Sequence, residues 1–168
     1  MEQFKEKVAR IEKIIYPVTK FVHMIATVFL VFMTLLTTAN VFARFIYKPI
    51  KGSYELLSYS SAMLIFFSLG YAQIKKEYIS VSFIVDQWSP KIQSILDMVT
   101  HFITSILMAV ASWQMVVHAK RLFEGHNVTV DLGIPIYIFA YAASVGLLIF
   151  ALAIFLDFLK SIVKVVET

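Results

Sequence analysis

Few residues in this chain could do chemistry, and most of them stand near the ends of long apolar runs. His23 and His101 lie a short way into two such runs. If both runs enter a membrane from one side, the imidazoles sit at similar depth, as bis-histidine haem ligation in a four-helix bundle requires. Yet Phe21, Met24, Phe102 and Ile103 are bulky where a haem ring needs small neighbours. A histidine at the membrane interface near a helix end fits both positions with no ligand. No cofactor is therefore expected, with a haem-binding redox anchor as the competing reading. Asn40, Gln73 and Gln114 are the other deep polar residues, and no Asp, Glu, Lys or Arg lies in mid-run. A substrate path through the bilayer centre normally shows such a residue. Cysteine is absent, which excludes disulfides, thiolate nucleophiles and cysteine-ligated metals. With no G-x-S-x-G, H-E-x-x-H, phosphate loop or paired carboxylates on one helix, the chain is not expected to be an enzyme. Asn127-Val128-Thr129 matches a glycosylation sequon, a three-residue pattern too common by chance to carry weight.

The charges that remain cluster at run ends. Residues 40–60 read NVFARFIYKPIKGSYELLSYS: Arg44 closes one run, a Pro-x-x-Gly turn follows, and Glu55 opens the next. A cation in a last helical turn and an anion in a first turn both suit the helix dipole, and Ser53 reads as an N-cap. The two stand close enough across a short turn to bond each other or a neighbour.

The elements that must hold these residues follow from composition. The chain is 60% hydrophobic and 15% charged, against about 25% charged in a soluble domain. Residues 21–43, 56–74, 98–119 and 132–156 carry no Lys, Arg, Asp or Glu. About 20 apolar residues at about 1.5 Å each cross a 30 Å hydrocarbon core. The expected fold is thus an all-α integral membrane protein, one four-span domain over residues 1–168, with spans near 18–43, 55–74, 95–118 and 134–157. The first run is too long for a signal peptide and is read as retained. The net charge of +4 reflects cations at helix ends, not a nucleic-acid surface. Ten Lys/Arg fall in the two tails and the second loop, and five in the first and third loops. The positive-inside rule then puts both termini in the cytoplasm.

Phe4, Val8, Ile11, Ile15 and Val18 share one helical face, with Lys5, Glu6, Lys7, Arg10, Glu12 and Lys13 around the rest. That pattern predicts an amphipathic interfacial helix over residues 1–17, bending at Pro17 into the first span. In the second loop, Val81, Val85, Trp88 and Ile92 fit a short interfacial helix, and Ser89-Pro90 reads as N-cap and first residue of the third. Small residues recur at contact spacing: Ser58, Ser61, Ser68, Gly70 and Ala72 in span two, Ser105, Ala109 and Ser112 in span three, Ala142 and Gly146 in span four. They predict close helix packing, within the chain or with another.

The stretch from Asn40 to Asp86 resembles the DctQ-type small membrane subunit of the tripartite ATP-independent periplasmic (TRAP) transporters. The resemblance rests on ARF at 43–45, KP at 48–49, YELLSYS at 54–60 and LGYAQIKKEYISVSFIV at 69–85, with GIPIYIFAYAASVG (133–146) as a weaker proline-led match. Tyr78 stands where the family often has histidine, and Tyr54 where it often has tryptophan before the acidic residue. The resemblance implies a non-enzymatic subunit in a bacterial inner membrane. It would brace a large polytopic subunit, one to one, and help dock a periplasmic solute-binding protein for sodium-coupled uptake of an organic acid. Under it, Arg44, Lys48, Lys51 and Glu55, with Lys120, Arg121, Glu124 and Asp131, become candidate docking residues.

Overall fold

In hydrocarbon every backbone N–H and C=O must be satisfied inside its own segment, so the apolar runs have no choice but to be helical. A computed structural model of the chain describes residues 2–76 and 88–167 and contains four α-helices: α1 (Glu2–Ile46), α2 (Ser53–Lys75), α3 (Pro90–Glu124) and α4 (Tyr137–Glu167). All four are long and apolar enough to cross a membrane. The interfacial helix expected around Val81 and Val85 lies outside the described residues, as does Tyr78.

One of the two expected helix starts is shifted by a residue and the other is as expected. Ser53 is the first residue of α2, and the N-cap is Gly52, in the left-handed region at φ 74°. The Leu132 side chain occupies the space a Cβ on Gly52 would need. A capping serine therefore cannot stand one residue earlier. Ser89 does cap α3 with Pro90 behind it, but through its extended backbone, without a side-chain hydrogen bond. The α1–α2 turn is closed by Asn40, whose Oδ1 accepts a 2.9 Å bond from the Ile50 amide.

No separate surface helix precedes the first span. α1 runs unbroken through Pro17, and its 45 residues extend about 67 Å at the usual rise. The physical reason is a neighbour. The C-terminal turns of α4 run alongside, Val8 is buried, and Lys160 Nζ donates to Glu12 Oε1 at 2.6 Å. Of the face expected to lie on lipid, Val8 is buried while Ile11 and Val18 are exposed.

α4 is the hub, packing against α1, α2 and α3, while α1 also packs along α2. In its most apolar stretch 44% of α4 residues are buried, against 6% for α1. Small residues permit this. A Cβ on Gly146 would sit 2.7 Å from the Phe66 carbonyl oxygen, so α2 and α4 touch backbone to side. Gly70 is buried against Ile149 and Thr19. Ser105 Oγ donates to the Ala151 carbonyl at 3.3 Å and Ser112 Oγ to the Ser144 carbonyl at 2.9 Å, tying α3 to α4. Ala142 is half-buried. Ser61 and Ser68 instead bond carbonyls of their own helix, and Ser58 and Ala109 are exposed.

Candidate functional site

The α1–α2 turn and the α3–α4 loop meet at one end of the molecule. Within the loop, the Thr129 amide donates to the Ile134 carbonyl at 2.9 Å. Thr129 Oγ1 accepts from the Ile134 amide at 3.0 Å, and Thr129 itself is 4% exposed. This folds residues 127–136 into a compact knot with the Asp131 and Leu132 amides turned toward α2. Glu55 takes both: Oε1 accepts from the Asp131 amide at 2.9 Å and Oε2 from the Leu132 amide at 3.3 Å. Charge-assisted bonds of this kind exceed neutral ones in strength. Leu132 completes the clip by sitting on Gly52.

Arg44 and Glu55 therefore do not pair with each other. Arg44 Nη2 donates to the Tyr54 hydroxyl at 2.7 Å, its guanidinium 5.8 Å from the Tyr54 ring centroid. Lys48 lies 5.2 Å from the Tyr47 ring, Lys51 and Arg121 are exposed, and Lys120 makes a 3.8 Å exposed ion pair with Glu124. The Asp131 side chain is exposed, its backbone amide being the part that binds. The eight expected docking residues are thus gathered at one end, but they divide: Glu55 is spent inside the chain, while Arg44, Lys48, Lys51, Lys120 and Arg121 leave a basic rim. Phe45, Ile46 and Tyr47 stand beside that rim, each more than four-fifths exposed.

The opposite end, which carries the termini, holds a polar cluster that the sequence did not predict. Gln73 Nε2 donates to Asp157 Oδ2 at 2.8 Å, with both residues buried. Ser161 Oγ donates to the Asp157 carbonyl at 3.0 Å and lies 3.4 Å from His101 Nδ1. Asp157 read as a boundary charge of span four. Its spacing from Ala140, Ser144, Leu147, Ala151 and Ile154 was the available signal, since these form the buried stripe of α4.

The histidines serve different neighbours. His101 joins Ser161 on α4, whereas His23 stacks on Tyr71 of α2 with ring centroids 4.4 Å apart and planes 10° from parallel. The cleft lined by His23 is formed with Pro17, Lys20, Phe21, Met24, Thr27 and Tyr71. His101 is not part of it, so these imidazoles do not flank a common ring site. Gln114 is exposed on α3.

The sequence profile of the DctQ component of the tripartite ATP-independent periplasmic transporters matches residues 33–164. This chain belongs to that family. The match covers the last third of α1, all of α2, α3 and the loop clip, and most of α4, so the Glu55 contact lies within the shared region. As a DctQ component, the chain is the small membrane subunit of a TRAP transporter, a multi-pass and non-enzymatic member of an assembly that also has a large membrane subunit and a binding protein. No curated protein and no solved structure gives a significant match.

Proposed function

We propose that this small subunit is a scaffold that braces the large membrane subunit, one to one, and helps dock the solute-binding protein during sodium-coupled uptake of an organic acid. The observation carrying the proposal is the bareness of α1: its most apolar stretch has a mean hydropathy of 2.0 and 6% of its residues buried within the chain. A transporter that moved solute by itself would turn polar groups inward. Here the hub helix turns mostly alanine, glycine, leucine and isoleucine inward, and its buried Ser144, Asp157 and Ser161 are bonded within the chain.

The count of Lys and Arg supports termini in the cytoplasm and the clipped loops outside, in a bacterial inner membrane. On that side Arg44, Lys48, Lys51, Lys120 and Arg121 offer cations to an acidic face of the binding protein. Glu55 acts indirectly, by holding the loop that carries Asp131 in place. Exposed pairs are worth about 0–1 kcal/mol each, so docking depends on several of these cations together.

Co-purification tests the reading. Tagged chain, expressed with the large subunit, should return an equimolar complex, and the complex reconstituted with the binding protein should show sodium-dependent uptake. Recovery of the chain alone as a monodisperse, active transporter would overturn the scaffold role. Replacing Lys48, Lys51, Lys120 and Arg121 together with glutamine should leave the complex intact while uptake falls several-fold at low binding-protein concentration.

A further inference from the structure

We propose that the cleft between α1 and α2 at the terminal end, together with the groove running from it along α1, binds one anionic phospholipid of the leaflet on that side. The cleft has a volume of about 380 Å³ and is lined by Lys20, His23, Thr27 and Tyr71, with Pro17, Phe21 and Met24. It leads into a second recess of about 460 Å³, lined from Met24 through Val28 and Val31 to Leu35. Met24 and Thr27 belong to both, so cleft and groove are continuous.

The two parts differ in chemistry as a lipid's two parts do. The groove is walled almost wholly by apolar side chains. The cleft has Lys20 in its wall. Lys75 stands beside it, its Nζ 5.7 Å from the Tyr16 ring centroid and 5.9 Å from that of Tyr71. Cation–π contacts of that length hold the ammonium against the rings. Tyr71 in turn stacks on His23, whose Nδ1 is buried with no hydrogen-bond partner among the described residues. Buried polar atoms are nearly always paired, and in one tautomer Nδ1 is a donor. Two ammonium groups at one end of an apolar groove suit a phosphodiester and its glycerol esters.

The length of the groove matches one acyl chain. From Met24 to Leu35 the groove covers eleven residue steps, about 17 Å of helix axis, close to one leaflet of a 30 Å hydrocarbon core. An acyl chain hanging from a headgroup at Lys20 crosses one leaflet.

Native mass spectrometry of the full chain in detergent tests this, with phosphatidylglycerol and phosphatidylcholine titrated separately. One phosphatidylglycerol should be retained at concentrations where phosphatidylcholine is not. The Lys20→Gln/Lys75→Gln variant should weaken phosphatidylglycerol retention by about thirtyfold, each cation near a membrane surface contributing about fivefold. Both lysines are exposed, so this variant keeps the fold, which circular dichroism checks. Val28→Trp, filling the groove, should abolish retention while leaving both lysines in place. Equal retention of the two lipids, or no change in the double variant, would overturn the proposal. Displacement of the lipid by glycerol phosphate at similar concentration would also overturn it, reducing the cleft to a simple anion site.

Discussion

Along α4 the inward residues include the small Ala140, Ala143, Ser144, Gly146, Ala151 and Ala153, with Leu147, Ile154 and Leu156 between and after them, while along α1 most of the apolar stretch, including Val28, Leu35 and Phe42, points away from the rest of the chain. Both helices are hydrophobic enough to span, with mean hydropathies of 2.4 and 2.0. The difference lies in size. Lipid tails are as apolar as leucine, so membrane helices gain by approaching closely enough for backbone and side-chain atoms to touch. Alanine and glycine let neighbours reach the α4 backbone, whereas valine, leucine and phenylalanine hold them away from most of α1. Hydrophobicity decides that a segment enters the bilayer, and small residues at contact spacing help decide which segment its neighbours can approach closely.

That contrast can be broken most severely at Gly146. Gly146→Val puts atoms within 3 Å of the Phe66 carbonyl group; the overpacking should cost about 3 kcal/mol or more. It should appear as loss of folded protein by size-exclusion chromatography in detergent. Next comes the polar contact inside the same core. Asp157→Leu leaves Gln73 buried without this acceptor, at a cost of about 1–3 kcal/mol, read as a lower melting midpoint. Asp157→Asn should recover most of it, because an amide oxygen still accepts from Gln73.

On the bare helix the same experiment should do almost nothing. Val41→Ala/Phe42→Ala removes two exposed side chains and should shift the isolated chain's stability by about 0.5 kcal/mol at most. Its recovery with the large subunit should nevertheless fall, and unchanged recovery would show that this part of α1 meets lipid only. The smallest change is at the clip. Glu55→Gln keeps an acceptor for one loop amide but loses the charge. Faster hydrogen exchange at the Asp131 and Leu132 amides is expected, with the α3–α4 contact at Ser112 and Ser144 unaffected.

The four helices were legible because charge-free runs of spanning length have one stable backbone solution in hydrocarbon. Gly70, Ser105, Ser112 and Gly146 were legible as packing residues for a related reason, as small side chains at helical spacing. Which neighbour each would meet was not, since spacing fixes a face but not its partner. Ser58 and Ala109 have the same signal as Ser105 yet remain uncovered in this chain. The amphipathic stretch around Val8 is helical and continuous with the first span, and its apolar face is met in part by the end of α4, because amphipathicity is equally well satisfied by a neighbouring helix. Arg44 and Glu55 were found as a pair by proximity in sequence. The donors to Glu55 lie 76 and 77 residues away on loop amides, which side-chain patterning does not reveal.

The Glu55 contact also bears on the order in which the chain is built. Neither α1 with α2, nor α3 with α4, contains both halves of the clip: the carboxylate and Gly52 belong to the first hairpin, the amides and Leu132 to the second. The two connections can lock only after both have been carried to the same face of the bilayer. A chain with one hairpin inverted or left behind would keep Glu55 without these loop donors and its apolar loop residue uncovered. The clip thus closes only in a molecule whose two connections lie at the same end of the bundle.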